Sequence, residues 1–193
     1  MATRESLLDV AAKLYAEHGW LGTTTRRIAE AAGVNEVTLF RQFGSKESLL
    51  LEAITLASGD HGITTRLPDS PKMLATELMV WGVAHHGSIR EKGGIIRACL
   101  AEWEQRPELA PKVCAGGLVA FADLTRYLGL ARERGMIGRD GSLEAAAVML
   151  SNAIFMDAMT RDVMPGAAPY SAEESIRLFI DLVLRALAVT ETG

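Results

Sequence analysis

Residues 34–50 read VNEVTLFRQFGSKESLL. Asn35 is a good cap for a short helix, Gly44 a good stop, and Ser45 a cap for the next helix. Leu39 and Phe43 lie four positions apart and share one face of the short helix. Around them Val37, Thr38, Phe40, Arg41 and Gln42 present methyl, hydroxyl, aromatic, cationic and amide groups. A helix face that meets only water usually carries Glu and Lys. This one is built to touch something else.

Working outward, the periodicity is helical almost everywhere. Leu7, Leu8, Ala11, Leu14, Tyr15 and His18 follow the i, i+3/i+4 rule, and Gly19 suits a left-handed position at the helix end. Thr24 predicts the cap of a second helix that passes Ile28, Ala29 and Ala32 and ends at Gly33. Small Ala29 permits a close crossing, Gly33 allows positive φ in a tight turn, and Val34 and Leu39 fill the angle. That is a helix-turn-helix, whose second helix enters the DNA major groove. A fourth helix follows from Ser45 through Leu49, Leu50, Ala53, Ile54 and Ala57, with Gly59 and Gly62 marking its end. No alternating strand pattern is evident, so the expected fold is all-α.

Composition sets limits on function. The chain of 193 residues is 49% hydrophobic and 23% charged, which suits a large buried core. No apolar run of the length needed to span a bilayer is expected, and the charged start lacks a signal-peptide core, so the expectation is a cytoplasmic protein without a membrane partner. Two cysteines, Cys99 and Cys114, are too few for a disulfide framework or zinc site and are expected as small apolar fillers inside helices. The net charge of -4 disfavours nucleic-acid affinity of the whole protein. Residues 1–58 hold six Lys or Arg against seven Asp or Glu, so DNA binding would need a local patch.

Charge placement supplies one. Arg26 and Arg27 fall in the first turn of the second helix, and Lys46 is the first residue of the fourth. Cations there oppose the helix macrodipole, an arrangement that a bound phosphate would reverse. The simpler alternative pairs Arg26 with Glu30 and leaves Lys46 solvated.

The segment TTTRRIAEAAGVNEVTLFRQFGSKESLL, residues 23–50, resembles the DNA-binding signature of the TetR family of bacterial transcriptional regulators. The segments RPELAP, ARERGMIGRD, EAAAVMLSNAIF and SAEESIRLFIDLVLRAL resemble the family more loosely. The resemblance implies an N-terminal helix-turn-helix DNA-binding domain, residues 1–47, and a larger helical effector-binding and dimerisation domain, residues 48–193. It implies phosphate contacts from Thr25 and Lys46, and groove contacts from Arg26, Glu36, Val37 and Thr38, with Phe40 and Gln42 following on the same helix. Phe40 stands where the family usually has Tyr and has no hydroxyl to give a phosphate. Gln42 stands where Tyr or His is common, and its amide suits adenine N6 and N7. Glu36 also fits the plain role of an acid at a helix N-terminus.

Beyond residue 60, RLPDSPK and REKGG look like connections around an apolar helix centred on Met79, Trp81 and Val83. Further helices are expected over 95–105, 108–134, 142–162 and 171–188. The last two carry a broad apolar arc that includes Ala146, Leu150, Ile154, Ile176, Phe179, Ile180, Val183 and Leu187. The resemblance implies that they pair with their copies in a homodimer reading a roughly palindromic operator. It further implies a pocket for an unknown small-molecule effector, with Trp81, His85, Trp103, Phe121, Tyr127, Phe155 and Met159 on the helices that line it. Gly116 and Gly117 within a helix point to a kink or a close approach to the backbone. Adjacent His85 and His86 diverge by about 100° on a helix and cannot chelate one metal. No glycine-rich phosphate loop or nucleophile elbow occurs, so neither catalysis nor a cofactor is expected. The expected function is a sequence-specific repressor released by an effector. The rivals are an architectural DNA-binding dimer without an effector and an all-helical enzyme.

Overall fold

Local sequence starts and stops most of the helices, as seen in a computed structural model that describes residues 3–58, 65–164, 166 and 169–188. The elements are α1 (Arg4–Gly22), α2 (Thr25–Ala32), α3 (Glu36–Phe43), α4 (Lys46–Ser58), α5 (Leu74–Glu102), a 3-10 turn (Pro107–Leu109), α6 (Ala110–Glu133), α7 (Leu143–Thr160) and α8 (Ala172–Ala186). Among the described residues there is no strand, so the fold is all-α. Side-chain oxygens of Thr3, Thr24, Asn35, Ser45, Ser142 and Ser171 accept backbone N–H groups in the first turns of α1, α2, α3, α4, α7 and α8. Each cap satisfies a donor that the helix itself cannot. Gly59 and Gly62, the expected end of α4, lie outside the described residues.

The chain divides into two compact units. One is formed by the described residues of Met1–Gly62 and Lys92–Gly116, the other by those of Ile63–Glu91 and Gly117–Gly193. The helix-turn-helix therefore sits in a unit larger than the expected 1–47 segment. The reason is packing: Leu49, Leu50, Ala53 and Ile54 of α4 share one core with Leu7, Leu8, Ala11 and Tyr15 of α1, Ile28 and Ala29 of α2, Leu39 and Phe43 of α3, and Ile95 and Cys99 of α5.

The REKGG segment is not a connection. Helix α5 runs through it without a break. A β-carbon on Gly94 would stand 3.0 Å from that of Ala16, so this glycine lets α5 lie close against α1. Gly82 does the same in the second unit, where a β-carbon would meet Ile176 at 2.8 Å and Ile154 at 3.5 Å. At Gly116 and Gly117, by contrast, nothing lies within 4 Å of the missing β-carbon, so close approach does not explain them. Cys99 is buried as expected, but Cys114 is exposed and fills no core.

In the second unit α7 packs against α8. The 18 residues of α7, with mean hydropathy 1.2, pass for a membrane span by length and composition alone, but Glu144 and Asp157 interrupt the apolar run, as expected from sequence. Its apolarity serves the interior: Ala147, Leu150 and Ile154 are buried with Ile176, Ile180 and Val183 of α8. The stripe expected to meet a second subunit thus faces the protomer's own core, where Ala146 and Leu187 are buried too and Phe179 is half-buried. A helix packed on one side buries the arc nearest its neighbour, and the rest of a broad apolar arc stays outside. On these helices that remainder is Val148, Met149, Met156 and Leu182.

Gly19 has φ 65° and ψ -171°, a region almost confined to glycine, and it kinks α1. Gly33 has φ 66° and ψ 33°, a left-handed conformation that costs other residues less. The Gly19 β-carbon would also lie 3.0 Å from Glu102 Oε1, whereas the Gly33 position is open. Gly19→Ala is expected to cost about 1–3 kcal/mol, and Gly33→Ala about 1–2 kcal/mol. Urea unfolding of the two variants checks both the values and their order.

Candidate nucleic-acid interface

The turn between α2 and α3 is fixed by backbone hydrogen bonds. The Gly33 N–H donates to Glu30 O at 3.2 Å and the Val34 N–H to Ala29 O at 3.0 Å, closing α2 in a Schellman-type end. Asn35 then turns the chain and caps α3 through its bond from the Val37 N–H at 2.8 Å. Leu39 and Phe43 are buried beneath α3. Val37 is 71% exposed and Phe40 47% exposed, so two large apolar groups face outward on an eight-residue helix. Thr38 and Gln42 are half-buried, and the Gln42 side-chain oxygen is buried without a partner.

Thr25, Arg26, Glu36 and Lys46, expected to meet DNA, are engaged with the protein's own groups. Thr25 Oγ1 donates to the Glu36 carboxylate, joining the starts of α2 and α3. Arg26 Nε donates to Glu30 at 2.9 Å, the simpler of its two expected arrangements. Both side chains are largely exposed, so this pair contributes little to stability. Arg27 reaches back to Gly22 O at 2.9 Å. Lys46 is not merely solvated. Its ammonium donates to Trp20 O at 2.5 Å and lies 5.8 Å from the centre of the Trp20 ring. Partial burial, and then the nearby Arg106 guanidinium, hold its pKa below the usual lysine value.

Two parts of this surface escaped the sequence-derived set of DNA contacts. Arg41 is exposed in the last turn of α3, where a cation also suits the helix dipole. Its place on the mixed face was the available signal. The groups around Lys46 had no signal, because Glu102 and Arg106 are far away in sequence. The Trp20 N–H donates to Glu102 Oε1 at 2.6 Å, and the Arg106 guanidinium sits 3.5 Å over the centre of the Trp20 ring.

The expected pocket residues do not form one set. Trp103 is 53% exposed and belongs to the unit of the helix-turn-helix, whereas the other six belong to the second unit. There, Trp81 and Tyr127 are fully buried, His85 and Met159 are buried, and Phe121 and Phe155 are half-buried. His85 stacks on Trp81 at 5.1 Å, and the Trp81 Nε1–H is buried without an acceptor. Tyr127 donates to Glu77 at 2.5 Å, a bond that lowers the Glu77 pKa, while burial raises that of Tyr127. His86 points elsewhere and contacts Asp157 at 2.9 Å. An open groove of about 550 Å3 in this unit is lined instead by α5 and α8 residues such as Met79, Val80, Ile180 and Leu184. Another, of about 480 Å3, lies between α1 and α4 in the first unit.

Residues 7–53, which span α1 to α4, match the profile "Bacterial regulatory proteins, tetR family". Over these residues the chain is similar to the TetR family. It is a DNA-binding transcriptional regulator, and residues 7–53 carry its helix-turn-helix. It is similar to YvkB, an uncharacterized HTH-type transcriptional regulator of Bacillus subtilis (strain 168). They share 28% identity over 149 residues, 77% of this chain and 78% of YvkB. It shares 49% identity over 51 residues with the transcriptional repressor KstR2 of Rhodococcus jostii, but that match spans only 26% of this chain and 25% of KstR2. The fold extends over the whole TetR-like architecture. A TetR-family regulator from Mesorhizobium loti superposes with a TM-score of 0.77 at 20% identity, covering 96% of each chain. FadR from Bacillus subtilis, solved with stearoyl-CoA, gives 0.68 at 20% identity over 94% of this chain and 98% of its own.

Burial, and next the neighbouring His86, depress the His85 pKa from 6.5 to about 4. The native state of this chain therefore binds fewer protons at that site than the unfolded state does. Its stabilising contribution is complete above pH 6.5 and is lost as the pH falls towards 4. His85→Phe keeps a ring against Trp81 and removes the titration. Over that acid range the wild type is expected to lose more stability than the variant, by an amount on the order of 3 kcal/mol. Denaturant unfolding of both proteins across the range checks it.

Proposed function

We propose that this chain is a repressor that binds a roughly palindromic operator as a homodimer and leaves it when an effector binds the second unit. One observation carries the DNA reading: α3 is held from beneath by Leu39 and Phe43 and turns Val37 and Phe40 outward beside Thr38, Arg41 and Gln42. Apolar groups next to amide and cationic ones suit a major-groove edge, where thymine methyls, base acceptors and phosphates alternate. Thr25, Arg26 and Lys46 would contact phosphates or the adjoining groove, exchanging their internal partners for DNA, while Glu36 would chiefly orient Thr25. Residues 1–47 would do the reading within the larger compact unit.

Repression is supported by KstR2, a repressor by name, and effector response by the acyl-CoA bound to FadR. Within the second unit the buried Trp81 and His85 pair, with Phe121, Tyr127, Phe155 and Met159, is where an effector would be recognised. Such a regulator acts in the cytoplasm. An architectural DNA-binding dimer would lack the effector response.

Selection of bound duplexes from a random pool is expected to yield an inverted repeat with half-sites about one helical turn, or a multiple of it, apart. Recovery of no preferred sequence would sink the regulator reading. Lys46→Ala should weaken selected and unrelated duplexes alike and flatten the log–log salt dependence by about 0.9. An unchanged slope would remove Lys46 from the phosphate set.

For assembly, Leu182 is 65% exposed in the protomer and lies on the apolar remainder of α8. Leu182→Glu should therefore leave the protomer folded but weaken dimerisation, because a charge would be buried at the contact. Sedimentation that finds a dimer of unchanged strength would place the interface elsewhere.

A further inference from the structure

The Trp20 backbone is gripped at both its N–H and its carbonyl by side chains from elsewhere in the first unit. At Gly19 the backbone leaves helical geometry, so the Trp20 N–H has no acceptor in the helix ladder, and Glu102 Oε1 takes it at 2.6 Å. The Trp20 carbonyl accepts from Lys46 Nζ at 2.5 Å. The indole is nearly buried, clamped by the Arg106 guanidinium on its face and met edge-on by Tyr15 at 6.4 Å. The second Glu102 oxygen is buried without a hydrogen-bond partner, and Trp20 holds the first.

We propose that Glu102, acting through the Trp20 peptide, is a positioning residue that aims the Lys46 ammonium at DNA phosphate. This rests on the reading of Lys46 as a phosphate contact. A lysine carries its charge on a flexible four-carbon stem and has three N–H donors. Committing one donor to Trp20 O restricts the stem and leaves the other two for a ligand. The bond is useful only if the Trp20 carbonyl stays fixed, and Glu102 fixes it from the other end of the same residue. A binding group held in place beforehand loses less freedom when the ligand arrives.

The sign of the effect separates this role from the charge of Glu102. A carboxylate acting only by its charge repels phosphate, so its removal would tighten binding. A positioning carboxylate has the opposite effect, and Gln, which keeps an oxygen acceptor for the Trp20 N–H, would replace it.

The test uses the full chain with two duplexes, one recovered by selection and one of unrelated sequence, titrated by fluorescence anisotropy across a range of salt. On the wild-type background Glu102→Ala is expected to weaken both duplexes by a factor on the order of ten. It should flatten the salt slope as Lys46→Ala does, by about 0.9. On the Lys46→Ala background it should change neither quantity, and Glu102→Gln should bind as the wild type does. Near-ultraviolet circular dichroism checks folding. If Glu102→Ala does not fold, Glu102→Asp, which withdraws the acceptor by one methylene and keeps the charge, carries the same comparison. Binding as tight as wild type or tighter in Glu102→Ala overturns the proposal, as does an equal loss on both backgrounds or a Gln variant as weak as the Ala one. An unchanged slope in Lys46→Ala itself overturns the phosphate reading first and this inference with it, and that arm distinguishes the two failures.

Discussion

The bend of α1 at Gly19 is the constraint on which the DNA-reading unit depends. An unbroken helix would bond the Trp20 N–H to the carbonyl four residues back and carry the chain straight on. The bend frees that N–H for Glu102 and leaves the Gly19 carbonyl to accept both the N–H and the hydroxyl of Thr23. Thr23 is fully buried, and Thr24 beside it caps α2. The start of the helix-turn-helix is thus set by one glycine conformation, one long-range acceptance by Glu102 and the local acceptance of Thr23 by Gly19. Before the bend α1 lies close to α5, where Gly94 faces Ala16 and Tyr15 meets Cys99.

Several polar groups of the interface are satisfied within the protein, although the Gln42 oxygen is not. Thr25 is bonded to Glu36, Arg26 to Glu30, Arg27 to Gly22 and Lys46 to Trp20. A chain with net charge -4 cannot attract a phosphate backbone by bulk charge, so local cations must do so. Exposed pairs such as Arg26 with Glu30 are weak and exchange readily for a phosphate. The Lys46 contact differs, because its acceptor is a backbone carbonyl clamped from behind. On the proposed reading, an oriented cation would hold the DNA and the exposed apolar helix face would read it.

In the second unit, packing separates what the amino-acid pattern leaves mixed. Gly82 brings α5 onto Ile154 and Ile176, and His86, Asp157, Arg161 and Ser175 form a polar chain from α5 through α7 to α8. Asp157 is buried but receives bonds from both His86 and Arg161, the condition under which a buried carboxylate is tolerated. One side of the apolar arcs of α7 and α8 closes this core, and Met149, Met156 and Leu182 remain outside it.

The sequence by itself determined the local geometry. Caps at Thr24, Asn35, Ser142 and Ser171, the left-handed Gly33, and the inward pair Leu39 and Phe43 all follow from rules that act within about four residues. Helix number around the DNA-reading surface, the turn angle and the identity of the outward face were therefore legible. Tertiary structure decided what depends on partners distant in the chain. Gly93 and Gly94 read as a break, yet α5 continues because α1 lies against it, and Cys114 read as a core filler yet is exposed. Trp103 shares composition but not location with the other aromatic candidates. A broad apolar stripe does not reveal which half meets its own core. Nor could any local pattern pair Trp20 with Glu102, 82 positions away, because only the packing of α5 on α1 brings that acceptor to the freed N–H.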